Sequence, residues 1–303
     1  DLNLMLERAF YFLFSDYRRA VLERSILSVA IAGFIIHLLL IYLVKFDLVS
    51  LGWESSLLGS PIAAAYTPFS FILIYEVYLL VFYLPRSITT YIRKQYEIIT
   101  LIMIRRLFKD LSEVEISANW FEIQGDLQFT YDLVGSLLLF YLLYLFGQQG
   151  RRKGAPSLEN MPDHHSLERF IQFKKGIAVC MIPILIVVAT YTVFTWTLGV
   201  VSPDNSLARS FTDINSIFFD EFFSILIIVD VLLLLFSFFV TDDFHKIIRN
   251  SGFIVSTILI RLSFSAEGLA SVALIVTSVI FGLLVLLIFN QYQKAEVTDG
   301  KLE

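Results

Sequence analysis

Six apolar runs of about 20 residues dominate the sequence, and each is long enough to cross the hydrocarbon core of a bilayer as an α-helix. They cover residues 25–46, 64–84, 128–146, 176–200, 219–240 and 269–289. Hydrophobic residues make up 57% of the chain, and its mean hydropathy is +0.73. Such a chain is too apolar for an ordinary soluble domain. We therefore expect an all-α fold, a polytopic transmembrane helical bundle.

Two weaker segments, 95–112 and 245–264, decide the topology. In the first, the apolar run ends at Arg105 and Arg106. Lys and Arg near the ends of spans are concentrated on the cytoplasmic side. If both segments cross and the N-terminus is inside, only Arg209 among the basic loop residues lies outside. We therefore predict eight spans with both termini in the cytoplasm; the alternative is six spans plus two interfacial helices.

The two halves of the chain resemble each other. The stretch IRKQYEIITLIMIRRL at 92–107 parallels IIRNSGFIVSTILIRL at 247–262, and Glu76 in one half corresponds to Asp230 in the other. Units with an even number of spans have the same orientation in the membrane. The pattern therefore predicts a 4+4 tandem parallel repeat.

This repeat implies a simple domain organisation. We expect an amphipathic interfacial helix over 1–24, a first four-helix transmembrane unit over 25–147, a cytoplasmic linker with an amphipathic helix over 148–175, a second four-helix unit over 176–293, and a disordered tail over 294–303.

Ionisable residues inside the predicted spans are the main candidate functional residues. Each costs about 2.5–3.5 kcal/mol near the centre of a span, so such residues usually face the protein interior and find partners. The candidates are Glu76, Arg105, Arg106, Asp132, Asp230 and Arg261. We expect Glu76 to pair with Arg105 and Asp132 with Arg106. Asp230 and Arg261 match poorly in depth, so Arg261 is expected to extend toward Glu267 instead.

Two functions are open from these charges. Acid–arginine pairs that line a path or sense charge would belong to a protein that resembles an ion channel or transporter. Pairs that only hold helices together would suit a non-conducting membrane subunit or a scaffold of a larger complex. The expected partners are the lipid bilayer, other membrane subunits or further copies of the chain, in a plasma membrane or bacterial inner membrane.

Other activities find little support in the sequence. It contains no GxSxG, HExxH or GxxxxGK[ST] motif, so nothing indicates an enzyme, and no cofactor is expected. The net charge of −5 argues against nucleic-acid binding. The single cysteine, Cys180, rules out a disulfide within the chain.

The histidines are weaker candidates. His37 lies midway along the first span, where it is either a pH-sensitive group or a hydrogen-bonding contact to a neighbouring helix. Asp163, His164 and His165 form a cluster of metal-ligand types. Adjacent histidines in a helix point about 100° apart, so we predict no metal site there.

Overall fold

The computed structural model describes residues 2–48, 61–113, 124–151, 164–201, 211–238 and 244–299, and the regular elements in these ranges are all helical. They are α1 (Leu2–Phe14), α2 (Asp16–Lys45), a 3₁₀ helix (Pro61–Ala65), α3 (Tyr66–Tyr83), α4 (Ile88–Glu113), α5 (Gln124–Arg151), α6 (His164–Val201), α7 (Phe211–Phe238), α8 (Phe244–Phe264) and α9 (Gly268–Asp299).

Six helices in the described part of the chain are long and apolar enough to cross a membrane. They are Leu4–Lys45, Gly125–Gly150, Glu168–Tyr191, Glu221–Phe238, Phe244–Phe264 and Gly268–Ala295. The weak segment 245–264 is therefore among them, whereas 95–112, which lies in α4, is not. The predicted span at 64–84 corresponds to a shorter apolar helix, Thr67–Tyr83. The described part of the chain is all-helical, and its apolar helices make the protein a multi-pass membrane protein. Eight spans stay a prediction.

Two helix ends lie inside segments of the predicted domain organisation. The segment 1–24 contains a break at Ser15, whose side chain accepts a backbone N–H and caps the start of α2. α1 packs against α6, where Glu7 and Lys175 approach to 3.6 Å. At the other end of the chain, α9 continues to Asp299 and so covers the first residues of the predicted tail.

The centre of the bundle is α4, the helix that contains the weak segment 95–112. It packs against α3, α5 and α8, and Tyr96, Ile98 and Ile99 on it are completely buried. In each half the helices pack in chain order, α2 to α5 and α6 to α9, and α5 also packs along α9. The helix that is least apolar by composition is therefore an interior helix.

Large apolar side chains point outward from the peripheral helices. On α2, Ile31, Ile35 and Ile36 are more than half exposed, and on α6 Ile186 and Val187 are similarly exposed. A soluble protein rarely leaves such continuous apolar faces in water. These surfaces suit contact with lipid.

Small residues bring α8 and α9 close together beside α4. Ser256 donates to the carbonyl of Ser278 at 2.9 Å, and Ser278 donates back to the carbonyl of Ser256 at 2.8 Å. The hydroxyl of Tyr96 on α4 lies 2.6 Å from Ser256 Oγ. It fits there because Gly282 has no side chain, and a Cβ at that position would overlap the Tyr96 hydroxyl. Small interface residues are typical of helices that pack within membranes.

We predict that Gly282→Ala lowers the free energy of unfolding by about 1–3 kcal/mol, because overpacking would force the Tyr96 ring out of its place. Thermal unfolding in detergent measures this change. Gly125→Ala is the matched control, since a Cβ there meets no atom within 4 Å. Equal melting temperatures for the two variants would contradict the packing described for α4, α8 and α9.

Candidate functional site

A buried carboxylate, Asp230, joins the two halves of the bundle. It lies on α7 with 5% of its surface exposed. Gln95 on α4 donates from Nε2 to Asp230 Oδ2 at 3.0 Å, and Thr257 on α8 donates to Gln95 Oε1 at 2.8 Å. Both partners are neutral. The resulting chain of hydrogen bonds, which we name the Asp230 network, crosses from α7 through α4 to α8.

Tyr91 adds a hydroxyl to the Asp230 network. Tyr91 is 2% exposed, and its hydroxyl lies close to the carboxylate of Asp230 and the amide of Gln95. The hydroxyl nevertheless makes no hydrogen bond of regular geometry in the described residues. A buried hydroxyl of this kind usually has a partner, and the nearest polar groups are the carboxylate of Asp230 and the amide of Gln95.

A cavity of about 340 Å³ leads to this network, with Tyr91 and Asp230 in its lining. The cavity also reaches Ser87, an exposed residue of the turn between α3 and α4. Near that surface end it is lined by Lys174 on α6 and Arg249 on α8. The cavity therefore connects the surface at the α3–α4 turn with the buried carboxylate.

Glu76 on α3 belongs to a separate polar cluster. Its Oε2 atom is buried without a hydrogen bond in the described structure, and the charged side chains that act on it are Lys94, Glu97, Glu23 and Arg19. Glu97 in turn pairs with Lys94. Glu76 is thus surrounded by charges of both signs, whereas Asp230 is held by neutral groups.

Arg106 and Asp132 form the ion pair expected from the sequence. Arg106 Nε lies 2.5 Å from Asp132 Oδ2, and its Nη2 donates to Oδ1 at 3.0 Å. Gln128 also donates to Asp132 Oδ1 at 2.8 Å, and Arg106 Nη1 donates to Ser271 Oγ at 3.2 Å. The pair therefore connects α4, α5 and α9.

The expected pair of Glu76 and Arg105 does not form. Because α4 begins at Ile88 rather than near residue 95, Arg105 lies about 25 Å along it, at 1.5 Å per residue. Glu76 lies only about 10 Å from the end of α3 that joins α4. The prediction was wrong because it placed the start of the third span too late. Arg105 itself is buried, with 6% of its surface exposed.

Asp230 and Arg261 do not pair either. Asp230 lies about 12 Å from the C-terminal end of α7, whereas Arg261 lies about 25 Å along α8. Arg261 donates to Ser224 at 2.8 Å and to Ser265 at 3.3 Å. The described residues also show no ion pair between Arg261 and Glu267.

Of the histidine candidates, His37 is the one whose side chain the structure describes. His37 Nδ1 lies 2.6 Å from Thr67 Oγ1, a contact between α2 and the first turn of α3. The side chains of His164 and His165, and all of Asp163, lie outside the described structure. Within the ranges that are described, no group of three His, Cys, Asp or Glu side chains could hold a metal ion.

Sequence reasoning missed the partners of Asp230. Gln95, Thr257 and Tyr91 carry no charge, so a search for ionisable residues passes over them. One signal was available: Gln95 lies at helical spacing from Tyr91, Ile98 and Ile99, which places it on their apolar face. A buried amide on such a face needs a partner.

The long apolar helices and the buried polar contacts between them define the chain as a multi-pass integral membrane protein. Comparisons with protein-family models, with curated proteins and with solved structures give no match.

We predict that Asp132→Asn lowers the free energy of unfolding by about 3 kcal/mol, because it leaves Arg106 without its counter-charge. This loss of stability is near the lower end of the range for breaking a buried ion pair, since the Arg106 side chain keeps 32% of its surface exposed. Chemical unfolding in detergent measures the loss. Asp16→Asn, the same change at an exposed position, should have a much smaller effect. Similar losses for both variants would show that the pair contributes nothing specific.

Proposed function

We propose that the chain is a transport protein in which Asp230 binds a proton or a small cation. The observation that carries the proposal is the surroundings of Asp230, a buried carboxylate with neutral partners at the inner end of a cavity. Ionisable groups inside membrane proteins commonly mark ion or proton pathways.

The contrast with Asp132 supports this assignment. Asp132 is bonded to Arg106 in a bidentate pair, so protonating it or giving it a cation would break an ion pair. The amide of Gln95 can donate to Asp230 whether or not the carboxylate carries a proton. Asp230 can therefore gain and lose a positive charge while its neighbours stay in place.

The other end of the bundle is closed beyond the Asp230 network. Ile98, Ile99 and Met103 on α4 are buried, and the Arg106–Asp132 pair lies about 16 Å along α4 from Gln95. A path through the protein would need this apolar layer to separate. The arrangement is therefore that of a transporter open to one side, and movement of α4 against α5 and α9 would open the other.

We further propose that α4 crosses the membrane and that the protein has eight spans with both termini in the cytoplasm. The burial of α4 among α3, α5 and α8 supports a crossing, since protein then shields its charges from lipid. A 4+4 parallel repeat is supported by the contacts of α4 with α8 and of α5 with α9, which pair corresponding helices of the two halves. The two halves differ at these corresponding acids, since Asp230 accepts a hydrogen bond from Gln95 whereas Glu76 Oε2 has no hydrogen bond in the described structure.

Purified protein in sealed proteoliposomes tests the proposed transport. Uptake of protons is followed with an enclosed pH-sensitive dye, and uptake of Na⁺ and Rb⁺ with radioactive tracers. We expect one of these cations to enter above the rate of protein-free vesicles, and Asp230→Asn to slow it by about tenfold or more, as losing one charged ligand worth about 1.4 kcal/mol would.

Asp16→Asn is the control for this experiment, because Asp16 is exposed and lies outside the cavity. It should transport like the wild type. Rates at the protein-free level for wild type and both variants would reject the transport function and favour a non-conducting membrane subunit.

A further inference from the structure

Two cations line the surface end of the cavity. Lys174 on α6 and Arg249 on α8 both belong to its wall, and they are close enough for their positive charges to repel each other. In the described ranges Lys174 forms no ion pair with a carboxylate. Asp230 also lines the cavity, but its hydrogen bond is with Gln95, whereas Lys174 donates to the carbonyl of Arg86. Two like charges in a half-enclosed space favour the entry of an anion.

Contacts with their neighbours hold both cations in position. Lys174 Nζ donates to the carbonyl of Arg86 at 3.3 Å and lies 4.7 Å from the centre of the Phe170 ring. The guanidinium of Arg249 lies 4.3 Å from the centre of the Phe289 ring, and its Nε and Nη2 atoms donate to Asn250 Oδ1 at 3.2 and 3.0 Å. Side chains that are ordered before a ligand arrives lose less entropy on binding.

The rest of the wall indicates what kind of anion fits. Ser87, Ser237 and Asn250 add neutral polar groups at the same end, and Phe253 and Ile254 provide apolar surface. A phosphate monoester carries a charge of about −1.5 to −2 at neutral pH, so it is attracted to Lys174 and Arg249. Arginine suits phosphate because its planar guanidinium can donate two parallel hydrogen bonds. A volume of about 340 Å³ also leaves room for a small organic group beside the phosphate.

We propose that this cavity binds a phosphate monoester between Lys174 and Arg249, with its organic part against the apolar wall. The phosphate belongs either to a small soluble molecule or to the headgroup of an anionic lipid. The proposal that the ester is transported rests on the function proposed above, in which Asp230 binds the cation that is transported with it. The proposal that the cavity binds the ester does not depend on that function.

Binding is measured on full-length protein, without a membrane gradient, so the result is separate from the flux experiment. In the first arm, detergent-purified protein in nanodiscs of phosphatidylcholine is titrated with radioactive inorganic phosphate by equilibrium dialysis. In the second arm, nanodiscs contain phosphatidic acid, and native mass spectrometry counts the lipid molecules that stay bound.

The variants are Lys174→Gln and Arg249→Gln, with Lys175→Gln as the matched control. Lys175 is the next residue on α6, but it contacts Glu7 on α1 rather than the cavity. We expect each cavity variant to weaken phosphate or phosphatidic acid binding by about tenfold, and the control to bind like the wild type. If Arg249→Gln does not fold, Lys174→Gln alone decides.

Each result supports or rejects the site. Loss of inorganic phosphate binding in the cavity variants supports a soluble phosphate ester as the ligand. Loss of phosphatidic acid alone supports the lipid headgroup. Equal binding of both ligands by all variants, or no binding of either ligand by the wild type, overturns the proposal. Neither outcome changes the interpretation of cation flux through Asp230.

Discussion

The structure depends on how a polar helix is accommodated at the centre of an apolar bundle. Along α4, Gln95, Tyr96 and Arg106 would each be costly against lipid, and each finds a polar contact on another helix. These contacts fix the depth and rotation of α4 relative to α7, α8 and α9. The small residues of the α8–α9 interface follow from the same requirement, since Ser256 and Gly282 provide the space and the hydrogen bond for Tyr96.

The two buried carboxylates differ because of what faces them. Asp132 meets an arginine and ties α4 to α5 and α9, so it is suited to a fixed contact. Asp230 meets an amide at the inner end of a cavity, and we therefore propose it, rather than Asp132, as the group that exchanges a proton or cation. We propose different roles for the two ends of that cavity: Lys174 and Arg249 at the surface end bind an anion, and Asp230 at the inner end binds a proton or cation. Both features depend on α4, because it contributes Tyr91 and Gln95 to the site.

Much of the fold could be predicted from hydropathy, because runs of about 20 apolar residues have few stable alternatives to membrane helices. The Arg106–Asp132 pair was also predictable, since both residues lie near the same end of adjacent helices. The pair Glu76–Arg105 was mispredicted because charge patterns do not give the start of a helix, and an error of a few residues moves a side chain by several ångströms. The poor match in depth between Asp230 and Arg261 was foreseen, but the hydroxyl partners of Arg261 were not. The Asp230 network was missed because its other members are neutral, and their meeting depends on packing between helices distant in sequence.

The most direct test of this account is the position of the two ends of α4 relative to the membrane. In a Cys180→Ser background, Ser87→Cys lies in the turn before α4 and Leu111→Cys near its end, and both positions are exposed. A membrane-impermeant maleimide is applied to sealed vesicles of known orientation. The account predicts that the two cysteines react from opposite sides of the membrane. Reaction of both from the same side would contradict it, because α4 would not cross and the Asp230 cavity could not serve a path through the bilayer.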